Sequence, residues 1–209
     1  ASNRRTALGL MSTAVGKNLT LKEHDQSELE EHFRNSIANW NLYLFDGFGS
    51  FDPQLIYNRI EYLASGLECR VIFLDHLSIL LSGLSGDERR MIDSTMTKLR
   101  SLVERTGIAL FLVSHLRRSN NDSNAHEEGG RVSLSQLRGS HSIAQISDNL
   151  VGLEVDQQSE GGRSPTTVRI LKNRYSGETG TCGTLDYNLN TCRFTEHEAE
   201  PEFNPSTDF

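Results

Sequence analysis

The stretch that decides the fold is Arg70-Val-Ile-Phe-Leu-Asp75-His76, read together with Gly107-Ile-Ala-Leu-Phe-Leu-Val113-Ser-His115. Each holds at least four consecutive apolar residues and then turns polar. Runs of that length suit strands covered on both faces, as in parallel sheets. Between them Asp87 opens a helical pattern to about Arg105, with Ile92, Met96, Leu99 and Val103 on one stripe, and Gly107 breaks it. Strand, helix and strand in this order predict a βαβ unit.

Working outward, residues 4–16 and 27–40 read as helices, the second with Leu29, Phe33, Ile37 and Trp40 at helical spacing. Residues 41–45 make a short strand. Asp52-Pro53 is a helix start, Asp as cap and Pro in the first turn, and Gly66 is its stop. Beyond His115, residues 116–131 are polar and hold almost nothing to bury, so they read as a functional or mobile loop. Residues 133–148 are mixed helix and turn. Strands follow at 149–155 and 166–171 around Gly161-Gly162, and 181–187 with 192–195 form a terminal hairpin.

The 209 residues suffice for one core and an appendage. No apolar run approaches the roughly 20 residues that span a bilayer, and no cleavable leader precedes the first helix, so we expect no membrane partner. Three cysteines (Cys69, Cys182, Cys192) without metal-ligand spacing point to a reducing compartment and no zinc. The chain begins at Ala1, from which we expect a fragment. The net charge of −7 is uneven: Glu196, Glu198, Glu200, Glu202 and Asp208 crowd the end, while residues 1–22 and 163–174 carry only basic charges. An acidic total therefore does not exclude a polyanion.

In open α/β sheets, ligands gather beyond the carboxyl ends of the strands. Asp75 and Ser114-His115 end the two apolar runs. An acid there either caps the next segment or holds magnesium beside phosphates; the residues alone leave both open. Gly16-Lys17 is no phosphate loop, because Asn18 follows where Ser or Thr is needed and Gly9 lies seven residues before Gly16 instead of five. Either the chain is not a nucleotidase, or its phosphate loop lies upstream of Ala1.

Val71-Ile-Phe-Leu-Asp75-His76, Asp87-Glu-Arg, Ser114-His115-Leu116, Ala125-His-Glu-Glu128, Gln136-Leu-Arg-Gly-Ser140 and Arg169-Ile-Leu-Lys-Asn-Arg174 occur in this order. The set resembles the helicase portion of the T-seven-like phage primase-helicases, DnaB-type hexameric motors with a RecA-like core. Any one motif is weak, and the ordered set is specific. The resemblance runs from about Arg5 to Tyr187, and the ending Ser206-Thr-Asp-Phe209 also looks like the phage proteins' terminus.

The resemblance implies a role for each matched position. Asp75 corresponds to the acid that organises Mg2+ with ATP or dTTP, and His115 to a γ-phosphate sensor coupled to the DNA loop. The loop after it implies single-stranded DNA contacts through Arg117, Arg118, Asn120, Asn121 and Ser123, which grip backbone without reading sequence. Arg138 and Gly139 are expected near DNA, and Gln145, Lys172 and Tyr187 near the nucleotide. Arg174 corresponds to an arginine finger that reaches the neighbouring subunit's site, so hydrolysis requires a homo-hexamer or heptamer. Two positions depart from the family: Val155 stands where an arginine sandwiches the base, and Ala144 where the phage relatives have another arginine.

We therefore expect an α/β, RecA-like core with a mostly parallel sheet over residues 1–195. An acidic disordered tail over 196–209 follows, too poor in apolar residues to fold alone. The resemblance implies that this tail docks on the replicative DNA polymerase in the cytoplasm of an infected bacterial host. The expected activity is 5′ to 3′ NTP-dependent helicase action, absent from the fragment alone. Another RecA-like ATPase, or a non-catalytic DNA-binding and polymerase-docking module, are the alternatives.

Overall fold

The computed structural model describes residues 2–45, 52–116, 130–137, 141–158 and 164–197. Helix α1 (Asn3–Val15) starts at Ser2, whose side chain accepts from the Arg5 N–H, and stops at Gly16 in the left-handed region. Helix α2 (Gln26–Asn35) ends five residues before the expected Trp40. Past Asn35 the chain tightens, with the Ser36 and Ala38 N–H groups both donating to the Phe33 carbonyl. That turn swings Ile37 into a small core with Met11 and Leu19, and leaves Phe33 and Trp40 exposed. The strand expected at 41–45 is absent from those residues.

Helix α3 (Pro53–Ser65) starts as the Asp52-Pro53 pair dictates, Asp52 accepting from the Gln54 N–H at 2.9 Å. Strand β1 (Val71–Leu74), helix α4 (Leu77–Ser82), helix α5 (Glu88–Thr106) and strand β2 (Ala109–Leu112) complete the βαβ unit. Asp87 caps α5 by accepting from the Arg90 N–H at 3.0 Å, and Gly107 ends it with φ +68°. β1 and β2 pair in parallel, Val71 opposite Ala109 through Leu74 opposite Leu112.

One face of that pair is covered. Ile72, Leu74, Leu110 and Leu112 pack on a core built by Ile56, Tyr57 and Ile60 of α3, Leu80 of α4, and Leu99 and Leu102 of α5. Burying each of these large side chains contributes about 2 kcal/mol. The other face corrects the expectation of cover on both sides: Phe73 is 74% exposed and stacks on Phe111 at 4.8 Å, with Val71 and Val113 also open.

A second cluster joins Leu77, Ile92 and Met96 to Ile143 of helix α6 (His141–Ile146), with Leu112, Leu137 and Leu150 against it. Leu150 lies on strand β3 (Asn149–Glu154), the first of an antiparallel meander with β4 (Thr166–Asn173), β5 (Gly180–Asn188) and β6 (Arg193–Glu196). Glu196 lies in β6, and the His197 N–H donates to the Thr184 carbonyl at 2.9 Å. The described chain thus runs two residues, Glu196 and His197, into the segment expected as tail; residues 198–209 lie outside the described ones. The β5–β6 turn closes on α1, since Arg193 donates from Nε to the Thr13 carbonyl and from Nη2 to the Ala14 carbonyl, both at 2.8 Å. No helix among the described residues is long and apolar enough to cross a membrane.

Candidate active site

Because β1 and β2 run parallel, their carboxyl ends share one edge. The pairing continues past both strands: the Val113 N–H donates to the Leu74 carbonyl at 3.0 Å and its carbonyl accepts from the Leu77 N–H at 2.9 Å. Asp75 and His76 are thereby bracketed by the two backbone groups of one residue, two positions before His115. Asp75 and His115 are both exposed, and the His76 ring meets the His115 ring edge-on at 4.6 Å. The His76 Nδ1 is buried without a hydrogen-bond partner among the described residues.

This donor set fits magnesium, which keeps several waters and takes one or two carboxylates plus substrate phosphates. Among the described residues no cluster of three or more His, Cys, Asp or Glu could hold a metal by itself. An exposed carboxylate suits a cation whose remaining ligands come from phosphate and water.

A second group assembles at the end of α6. The last carbonyls of a helix lack partners within it and carry negative partial charge, so cations are favoured there. Two cations on β4 and just beyond it supply the need. Lys172 Nζ donates to the carbonyls of Ala144, Gln145 and Ser147 at 2.6, 3.1 and 2.7 Å, which occupies all three of its protons. Burial, and then the charge of Arg174, pull the Lys172 ammonium below its ordinary range. Arg174 Nη2 donates to the carbonyls of Gln145 and Ile146 at 2.8 and 3.3 Å, and its Nη1 lies 3.3 Å from Asp148 Oδ1. The Arg174 N–H also donates to the Asp148 carbonyl at 2.8 Å. Asp148 Oδ2 accepts from Arg100 Nη1 of α5 at 2.7 Å, and Arg100 pairs in turn with Glu104.

Of the residues named from sequence, Gln145, Lys172 and Arg174 meet here. Gln145 also lines, with Arg89, Asp93 and His141, a cleft of about 350 Å³ between α5 and α6. Ile143 and Ile146 of α6 share an apolar cluster with Leu77, which follows Asp75 and His76, and with Leu112 of β2. Lys172 serves the helix end in this conformation. Tyr187 is apart from both groups, on β5, its ring 4.9 Å from that of Phe194. Arg117, Arg118, Asn120, Asn121, Ser123, Arg138 and Gly139 lie outside the described residues.

Sequence reasoning missed Asp148 and Arg100. The signal for Asp148 was the strand register: Asn149 pairs with Asn173, which sets Asp148 across from Arg174. An acid between a helix and a strand reads as an ordinary turn residue until that register is known.

Comparison with known proteins shows the family and the fold. The family model described as DnaB-like helicase C-terminal domain matches residues 6–196. A DNA helicase/primase of Enterobacteria phage T3 is 37% identical over 170 residues, covering 80% of this chain. The chain spans 29% of that protein's length. A solved ATPase domain superimposes with a TM-score of 0.73 at 20% identity, over 95% of this chain and 72% of that one, which establishes a shared RecA-like fold.

Proposed function

Because the chain belongs to the family of DnaB-like helicase C-terminal domains, we propose that it is the C-terminal part of a ring-forming replicative motor. That motor couples NTP hydrolysis to 5′ to 3′ movement on single-stranded DNA and so unwinds duplex. The observation that carries this reading is the parallel register of β1 and β2, which brings Asp75 and His115 to one sheet edge.

Asp75 would hold the magnesium of ATP or dTTP, and His115 would donate a hydrogen bond to the terminal phosphate. Magnesium, when bound, supplies neutralisation of the phosphate charge. Arg174 acts on the site of the next subunit, where a guanidinium stabilises charge on the transferred phosphoryl. Gln145, next to the last residue of α6, contacts the nucleotide that Asp75 serves, and Tyr187 lies against its base without the arginine that Val155 replaces. The open apolar face around Phe73 and Phe111 supports a further layer of the sheet, and the phosphate loop belongs to that layer. Residues 116–127 with Arg138 and Gly139 bind the DNA, and the acidic tail docks on the replicative polymerase.

Asp75→Asn in the full-length protein tests the reading. DNA-stimulated hydrolysis should fall at least about 100-fold, as loss of a metal-organising carboxylate predicts, with the fold unchanged because Asp75 is exposed. Wild-type hydrolysis by this variant would refute the assignment.

A further inference from the structure

Arg174 is not a free surface cation. One edge of its guanidinium meets the Gln145 and Ile146 carbonyls and the Asp148 carboxylate, while 41% of the side chain stays open to solvent. Lys172 takes the Ala144 and Ser147 carbonyls, shares that of Gln145 with Arg174, and so keeps that helix end in place. Asp148 has one foot elsewhere, on Arg100 of α5. Its Oδ1 is buried and has no hydrogen-bond partner among the described residues, and the cation paired with it is the Arg174 guanidinium. A buried carboxylate oxygen in that state costs stability unless a charge faces it. The arrangement thus ties α5, the end of α6 and the end of β4 to one arginine.

We propose that Asp148 is a positioning residue, which fixes the Arg174 guanidinium so that its open edge is presented beyond the subunit. The inference rests on the reading of Arg174 as a cation acting on the neighbouring site. A donor already fixed requires no reorganisation when charge develops on the phosphoryl group. Asp148 acts on the rate through that arginine and contributes nothing to nucleotide affinity.

The test uses the assembled full-length protein. Asp148→Asn should lower kcat about tenfold while KM, and the Kd of a fluorescent nucleotide analogue, stay within about twofold. Asp148→Glu should restore part of the rate. Arg100→Gln, which removes the other partner of Asp148 but leaves its pair with Arg174, should lower kcat by clearly less than Asp148→Asn does, whereas a purely structural Asp148 would show the same loss there. An unchanged or raised kcat in Asp148→Asn, or an equal loss in Arg100→Gln, overturns the proposal. Arg174→Ala separates the two levels. If it abolishes hydrolysis while Asp148→Asn is normal, only the role of Asp148 falls; if it hydrolyses normally, the reading of Arg174 falls and this inference with it.

Discussion

Glu154 and Arg169 form a bidentate pair across β3 and β4, Arg169 Nε and Nη2 donating to the two carboxylate oxygens at 2.6 and 2.9 Å. Glu154 is 8% exposed, and it also accepts the Val132 N–H at 2.8 Å. Val132 is itself buried over Gly152, where an added Cβ would come within 3.3 Å of it. The pair therefore fastens the chain that returns from residues 117–129 to the sheet.

Glu154→Gln breaks that arrangement, because an amide N–H would face the guanidinium and the charge pairing would vanish. The melting temperature should drop by about 5 °C or more. The hydrogen bond from Arg169 is the main reason the Glu154 carboxyl sits below its ordinary 4.5, with the Val132 N–H helping. A depressed carboxyl stabilises the fold above the unfolded value and loses that contribution as pH falls through the folded one. The gap between variant and wild type should accordingly shrink on acidification below about pH 4.5. A gap that stayed constant from pH 7 to 3 would contradict this account.

Glu28 offers a second titration. The Lys17 ammonium, 2.8 Å away, and then His24, hold its carboxyl down at about 2. Lys17→Ala should move the Glu28 midpoint up toward 4.5, followed through its side-chain carboxyl carbon by NMR. The wild-type contribution is complete above pH 4.5 and fades toward pH 2. An unmoved midpoint would mean that His24 alone suffices.

Gly107 ends α5 at φ +68° with nothing within 4 Å of the place a Cβ would take, so any penalty there is conformational and not steric. Gly107→Ala should destabilise by about 1 kcal/mol, and Gly107→Asn by less, since Asn tolerates the left-handed region. Equal losses in urea titrations would point to a contact as the cause.

The acidic end has its own test. Removal of residues 198–209 leaves β6 and the His197 contact with Asp186 intact. If the tail docks on the replicative polymerase as proposed, that binding should weaken while hydrolysis persists. Loss of both together would place the tail's role inside the motor.

The βαβ unit was legible because its signals are local: Asp87 as cap, Gly107 as stop, and two apolar runs. The end of α2 was not, because Phe33, Ile37 and Trp40 keep helical spacing even though the chain turns at Ser36 to bury Ile37 alone. The open face of Phe73 was illegible for another reason, since a continuous apolar run looks the same whether its cover is present or not. In the candidate site, Asp75 and His115 could be read from their place at strand ends. The partners of Lys172 and Arg174 could not, because alternation along β4 gives the direction of two cations and not the helix end that receives them.

The grip of Arg193 on the Thr13 and Ala14 carbonyls spans nearly the whole chain. During synthesis the cation that caps the carboxyl end of α1 is made 179 residues after Ala14, whose carbonyl it holds. That helix must therefore wait, its final turn solvated and frayed, until the β5–β6 hairpin arrives. A lesion in that hairpin will loosen a helix far away in sequence, and limited proteolysis near Val15 is where such damage will first be seen.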